Sequence, residues 1–171
     1  MVASGCSGTY SYSKNWSSDQ GKTIAPTGAS YAYTVPTGFF IEAKSDLRNP
    51  YRQHETGVNF LTGSAVVRVS EQTLTLPHAQ VAKVQRAFIA QASRWQNPGK
   101  NWRHLTVAGA PALGFHLAGL SRDRKHQEAE EYAVFKGAHL VYVSCNWMTS
   151  SDKGHALDGC GGVLKSLRIK G

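Results

Sequence analysis

The stretch Glu128-Ala-Glu-Glu-Tyr-Ala-Val-Phe-Lys-Gly-Ala-His-Leu-Val-Tyr-Val-Ser-Cys145 is the part of the sequence that decides the fold. Apolar and polar residues alternate over much of it, and the alternation is interrupted at Lys136-Gly137. Alternation with a period of two is typical of a strand that buries one face. A short glycine-containing link between two such runs is typical of a hairpin turn. We therefore predict a β-hairpin with strands over 128–135 and 139–145.

The segment after this hairpin has the spacing of a helix, which we place over 155–166. Leu157, Cys160, Leu164 and Leu167 recur at intervals of three and four residues, so they share one helix face. Cys145 lies on one face of its predicted strand, and if that face packs on the helix, the sulfurs of Cys145 and Cys160 meet. A disulfide then closes this loop, and the alternative is two buried free thiols, which are common in protein cores.

The remaining pattern predicts more short strands and one further helix. The helix is placed over 79–95, where apolar residues recur on one stripe that ends at Trp95. The predicted strands are 29–35, 39–41, 58–61, 65–69, 74–76 and an interrupted stretch over 105–120. Residues 47–56 are predicted to be a polar loop. Strands grouped around two helices predict the α+β class, with an antiparallel sheet flanked by helices in an α/β/α sandwich.

We expect residues 1–28 to form a flexible Ser- and Gly-rich tether, followed by a single domain over 29–171. Cys6 lies in Val2-Ala-Ser-Gly-Cys-Ser7, where small residues precede the cysteine as in a bacterial lipobox. Ala3 departs from the aliphatic residue that the pattern prefers at that position. We predict that Cys6 is a lipid anchor, and the alternative is an ordinary chain terminus with a chance cysteine.

The charge balance is basic, with 19 Lys and Arg against 11 Asp and Glu and a net charge of +8. No acidic residue occurs between Gln72 and Arg122, so this middle segment is expected to face an anionic partner. The alternative is a solvated face with a basic bias. The residues predicted to form the partner surface are Arg86, Arg94, Trp95, Lys100, Trp102 and Arg103.

No catalytic or metal-binding pattern stands out in the sequence. The seven histidines lack the spacing of metal ligands, and Gly159-Cys-Gly-Gly162 lacks the Lys-Ser/Thr pair of a phosphate-binding loop. We therefore predict no catalytic residue, no metal and no cofactor. An enzyme whose site is assembled only by the fold stays open as an alternative.

Four segments resemble the PsbP-like domains, in the order in which those domains carry them. They are Tyr33-Thr-Val-Pro-Thr-Gly-Phe39, Leu105-Thr-Val-Ala-Gly-Ala-Pro-Ala112, the 132–147 hairpin and Val163-Leu-Lys-Ser-Leu-Arg-Ile169. The branch that the chain resembles is that of secreted actinobacterial lipoproteins of the LpqN type. The resemblance implies an antiparallel sheet between helices and no shared catalytic residues. It also supports the lipobox at Cys6 and the disulfide.

These observations predict a non-catalytic binding or accessory module of the cell envelope. We expect it to lie outside the cytoplasm, anchored to the membrane or secreted, and to be a monomer. The expected partner is an anionic envelope lipid or polymer, or a membrane protein. A cell-envelope hydrolase is the first alternative, and a basic nucleic-acid binder is the weaker one, because no recognition motif for nucleic acid is present.

Overall fold

The computed structural model describes residues 19–42, 53–60, 65–73, 102–120 and 126–170, together with Lys83 and Arg86. Within these ranges the C-terminal helix spans Ser150–Ser166. The strands are β1 (Thr23–Ile24), β2 (Tyr31–Thr34), β3 (Phe39–Ile41), β4 (Gln53–Phe60), β5 (Ala65–Thr73), β6 (Arg103–Val107), β7 (Ala110–Leu120), β8 (His126–Lys136), β9 (His139–Trp147) and β10 (Arg168–Ile169).

Strands β3 to β9 form an antiparallel sheet in the order β3-β4-β5-β9-β8-β7-β6. The hairpin of β8 and β9 lies near its middle, with Phe135 opposite Leu140 and Glu128 opposite Trp147. The predicted hairpin is therefore confirmed, and both strands run further than the sequence pattern indicated. The α+β class with an antiparallel sheet is confirmed as well.

Successive residues of each strand point to opposite faces of this sheet. Val67, Val143 and Cys145 lie on the face that we call the helix face, because the C-terminal helix packs on β5 and β9 there. Leu113 and Leu140 lie on the other side, which we call the opposite face. This division decides which predicted surface residues can act together.

The C-terminal helix approaches the sheet closely because small residues line its inner side. Its buried residues are Asp152, Ala156, Gly159, Cys160 and Val163. A Cβ atom at Gly159 would lie 2.6 Å from Cε2 of Phe39, so the ring occupies the space that a side chain would need. Leu157 was predicted to share the inner stripe, but it is 36% exposed. Small side chains face the sheet instead, because they allow the helix to come nearer.

Cys145 on β9 and Cys160 on the C-terminal helix form a disulfide, with their Cα atoms 5.7 Å apart. This separation lies within the range that disulfides occupy. The predicted pairing is therefore confirmed. The bond connects the helix to the central hairpin, and both cysteines are buried.

The expected tether boundary at residue 28 is wrong, because residues 19–28 belong to the folded domain. Strand β1 pairs with β2, with Thr23 opposite Thr34, and β10 pairs with the other edge of β2. The amide of Gly21 also donates to the carbonyl of Val35 at 3.1 Å. Backbone hydrogen bonds therefore hold this segment against β2, in a three-stranded sheet of the order β1-β2-β10. Residues 1–18, and with them Cys6, lie outside the described residues.

The helix predicted over 79–95 falls mostly outside the described residues. Lys83 and Arg86 are the described members of that segment, and both are helical and exposed. The strand predicted over 74–76 also lies outside the described residues. The described positions agree with the prediction that Lys83 and Arg86 lie off the apolar stripe.

Candidate functional site

Of the six residues predicted to form the partner surface, the structure describes three, which are Arg86, Trp102 and Arg103. Arg86 is exposed on its helical segment. Arg94, Trp95 and Lys100 lie outside the described residues, so their part of the surface stays a prediction.

Trp102 and Arg103, two residues of the predicted partner surface, lie on opposite faces of the sheet. The ring of Trp102 packs against Phe115 on the opposite face, with ring centroids 4.5 Å apart. Arg103 lies opposite Gly114 on the helix face. These two residues therefore cannot contribute to the same side of the predicted partner surface.

The charge of Arg103 is also compensated within the sheet. Its guanidinium forms an ion pair with Glu130 of β8, reaching across the intervening strand β7. The guanidinium passes next to Gly114 of β7, where a Cβ would lie 3.4 Å from Nη2 of Arg103. Nδ1 of His116 lies 3.2 Å from the same carboxylate group. We therefore remove Arg103 from the set of residues expected to attract an anion.

A cavity of about 490 Å³ lies at the β3–β4 end of the sheet, between that edge and the segment around β1. Ile24, Pro26 and Ile41 form aliphatic parts of its wall. Polar parts of the wall come from Glu42, His54 and Glu55. The volume lies within the range of small-molecule sites in proteins. We therefore take this cavity as the candidate functional site.

A bulge in β4 positions His54 and Glu55 at the cavity. The pairing of β4 with β5 shifts between Gln53 and Thr56, and His54 has a φ of 53°. This left-handed conformation is uncommon for a residue with a side chain. The Tyr31 hydroxyl donates a hydrogen bond to the carbonyl of His54. Gly28 lies next to the imidazole ring of His54. These contacts hold the bulge in one shape, so the cavity wall is built before any ligand arrives.

The imidazole of His54 connects the cavity to a buried polar network. Its Nε2 lies 3.5 Å from Oε1 of Glu71, which is 5% exposed. The other oxygen of Glu71 accepts hydrogen bonds from the amide, at 2.8 Å, and from the hydroxyl of Ser30. The Ser30 hydroxyl therefore faces the carboxylate and not the imidazole. This order differs from a catalytic triad, in which the imidazole stands between the two.

Two carboxylates give the cavity wall its charge. The Glu42 carboxylate accepts hydrogen bonds from Nε and Nη2 of Arg68, at 3.4 and 3.2 Å. Glu55 lies further from the same guanidinium, with 3.9 Å between Oε1 and Nε of Arg68. A single guanidinium thus faces two carboxylates. Among the described residues, this leaves the polar wall with an excess of negative charge.

Sequence reasoning missed this site, because residues 53–56 were predicted to be part of a polar loop. They are the first half of β4. The bulge interrupts the period-two pattern over Gln53-His-Glu-Thr56, so alternation could not reveal the strand. The signal in the sequence was the continuity of this segment with the apolar run that begins at Val58.

Other chemistries receive no support from the described part of the chain. No three His, Cys, Asp or Glu side chains in it are grouped so that they could hold a metal ion. Among the same residues, no helix has the length and apolar character that a membrane span requires.

Neither a family model nor a curated protein sequence matches this chain. Among solved structures, it is similar to LpqN of Mycobacterium tuberculosis, described as involved in cell envelope biogenesis. The TM-score is 0.57 at 15% identity, over 90% of this chain and 87% of LpqN. It is also similar to CyanoP, the cyanobacterial PsbP of Synechocystis, with a TM-score of 0.54 at 10% identity, over 86% of this chain and 91% of CyanoP.

A third similar structure comes from Bacteroides thetaiotaomicron, with a TM-score of 0.58 at 10% identity over 89% of this chain. This chain spans about half of that protein, 49% of its length. The sheet topology and these similarities define a PsbP-like fold. Within that class, the fold is of the LpqN type. The resemblance found in the sequence motifs is thus confirmed for the fold.

Proposed function

We propose that the protein is a non-catalytic binding or accessory module of the cell envelope that acts outside the cytoplasm. The observation that carries the proposal is the Cys145–Cys160 disulfide within a fold shared with LpqN. Disulfides of this kind persist in oxidising compartments and are rare in the cytosol. The similar structures LpqN and CyanoP are in keeping with an accessory role, and the ligand-sized cavity is in keeping with binding.

Cys6 is the proposed attachment point. Small residues precede it and a Ser-rich segment follows it, which is the composition of a lipidated cysteine on a flexible spacer. A single acyl chain binds membranes only marginally, so stable anchoring takes more than one chain or a second signal. The basic middle segment, with Lys83, Arg86, Arg94 and Lys100, is proposed as that second signal.

Cell fractionation of a strain that expresses the full-length gene tests this proposal. The parent protein is expected in the envelope fraction, with Cys145 and Cys160 protected from alkylation until a reductant is added. Cys6→Ser should move the protein to the soluble extracytoplasmic fraction without exposing those thiols. A cytosolic protein with both thiols free would overturn the proposal, and a Cys6→Ser protein that stays with membranes would overturn the anchor.

The electrostatic part is tested by flotation of the chain with vesicles of anionic or zwitterionic lipids. The parent protein should prefer anionic vesicles, and the preference should weaken as salt rises, because exposed charges are screened over about 10 Å at 0.1 M salt. Lys83→Gln/Arg86→Gln should reduce the preference. Lys165→Gln/Arg168→Gln is the matched control, since it removes two exposed charges elsewhere. If both variants lose the preference for anionic vesicles equally, the preference depends only on the net charge of the protein.

A further inference from the structure

The cavity beside the β4 bulge combines an aliphatic wall with a negative one. Ile41 is 39% exposed and belongs to the cavity lining, so part of its side chain is accessible to a ligand there. The same lining includes two acidic residues, Glu42 and Glu55. Such a site suits a ligand that has a short apolar stem and a polar end.

The charge of the cavity wall determines whether the polar end of a ligand can be an anion or a cation. The described lining contains neither Lys nor Arg, so its ionisable groups are the imidazole of His54 and the carboxylates of Glu42 and Glu55. Arg68 contacts both Glu42 and Glu55 but contributes one positive charge against two negative ones. Behind the wall, the buried Glu71 adds a further carboxylate next to His54. The described part of the lining therefore disfavours an anion and offers hydrogen-bond acceptors to a cation.

Glu55 is the carboxylate best placed to receive such a cation. Its side chain is 16% exposed, and its separation of 3.9 Å from Arg68 is too long for a direct hydrogen bond. Glu42, by contrast, is held by two hydrogen bonds from Arg68. A partly buried carboxylate gains more from a cation than a fully hydrated one, because the local dielectric is lower.

The shape of the site is held in advance by contacts that do not involve a ligand. The Tyr31 hydroxyl and Glu71 hold the carbonyl and the imidazole of His54, the residue before Glu55. The strained φ of His54 persists because of these contacts. A preorganised wall lowers the entropy lost on binding, which favours capture of a small ligand.

We infer that this cavity binds a small organic cation, a primary ammonium group on a short aliphatic chain. The ammonium group would donate hydrogen bonds to the carboxylates of Glu55 and Glu42. The methylene groups would lie against Ile24, Pro26 and Ile41. This inference goes beyond the envelope role and does not depend on it, because the cavity is at the β3–β4 edge and the proposed anchor is at Cys6.

The test is an isothermal titration of the oxidised full chain with three probes of equal length, putrescine, butane-1,4-diol and succinate. Putrescine should bind, and the neutral diol and the anionic succinate should bind at least about tenfold more weakly. Raising the salt concentration should weaken putrescine binding. Equal affinity for the diol and putrescine, or no binding of putrescine at millimolar concentration, would overturn the inference.

Variants locate the binding. Glu55→Gln keeps the size of the side chain and should weaken putrescine binding about tenfold or more, while Glu42→Gln should weaken it to a smaller extent. Glu128→Gln is the matched control, since it removes an equal charge on β8, a strand that contributes no residue to the described cavity lining, and should leave binding unchanged. If Glu55→Gln fails to fold by circular dichroism, Ile41→Ala provides the second test and should also reduce affinity. Unchanged binding in every folded variant would overturn the assignment to this cavity.

The same ammonium chemistry occurs in soluble amines and in the headgroups of some lipids, so the two sources need separate probes. Vesicles containing an aminoacylated lipid whose ammonium group is separated from the phosphate distinguish the two sources. Binding to these vesicles that putrescine competes away and Glu55→Gln abolishes would assign the site to a lipid headgroup. Binding of putrescine without such competition would assign it to a soluble amine. Neither outcome bears on the Cys6 anchor, which fractionation tests separately.

Discussion

At the scale of single residues, the buried tyrosines of β2 have unusual environments. Tyr31 and Tyr33 are almost completely buried, and the Tyr33 hydroxyl donates to Oγ1 of Thr56 at 3.1 Å. Burial raises the pKa of both phenols, because the charged phenolate would lose its hydration, and it raises the pKa of Tyr33 to about 12. The same two residues connect β2 to the strand that carries the cavity wall.

These shifts predict a loss of stability at alkaline pH. The folded chain holds the Tyr33 proton more tightly than the unfolded chain does. The contribution of this proton to the free energy of unfolding is therefore fully present below pH 10 and is lost as pH rises toward 12. The loss should approach about 1.4 kcal/mol per pH unit within this window. Urea unfolding between pH 9 and 11 should show a shallower pH dependence for Tyr33→Phe than for the parent. Parallel curves would contradict the role of Tyr33.

At the scale of secondary-structure elements, the C-terminal helix depends on which of its glycines faces the sheet. Gly159 is buried, and a Cβ there would lie 2.6 and 2.8 Å from two ring carbons of Phe39. Gly161 is exposed, and a Cβ there would meet no atom within 4 Å. Both glycines lie in the helix interior, where alanine is intrinsically preferred.

The two glycines therefore form a matched pair of substitutions with opposite expected effects. Gly161→Ala should raise the free energy of unfolding by up to about 1 kcal/mol, because alanine reduces the entropy lost on forming the helix. Gly159→Ala should lower it by about 1–3 kcal/mol, because the methyl group overlaps the Phe39 ring. Urea unfolding of both variants measures this. If both substitutions raise the free energy of unfolding, the helix can move away from the sheet without a loss of stability.

At the scale of the whole molecule, the disulfide connects the C-terminal helix to the centre of the sheet. The bond joins Cys145 of β9 to Cys160, with a sequence separation of 15 residues. After the helix, β10 returns the chain to β2, which also pairs with β1 near the start of the described part. The helix and the segment beyond it thus hold both ends of the described domain together.

Removal of this bond should destabilise the domain without changing its fold. On the chain-entropy estimate, a loop of this length contributes about 3 kcal/mol, so Cys145→Ser/Cys160→Ser should lower the free energy of unfolding by that order. Denaturation of the parent with and without reductant should show a similar difference. Cys6→Ser is the control and should leave the unfolding curve unchanged. A parent domain that is equally stable when reduced would contradict this role of the bond.

The amino-acid pattern alone was sufficient to predict the hairpin and the C-terminal helix, because each rests on periodicity within one element, which reflects the geometry of a single strand or helix. The pairing of Cys145 with Cys160 also required that the helix pack on the face of the strand that carries Cys145. The predicted helix stripe nevertheless included Leu157, which is exposed. Periodicity locates a buried face only to within a neighbouring residue, and close packing on Phe39 selected the small residues instead.

Tertiary structure alone decided the charge of the surfaces and the position of the cavity. Arg103 appeared unopposed in a segment without acids, yet Glu130 lies beside it, because two strands distant in sequence flank Gly114. The cavity wall likewise combines Ile24 with Glu55, from segments that the sequence pattern assigned to a tether and a loop. Pairing between distant strands depends on the packing of the whole chain, so no local periodicity encodes it.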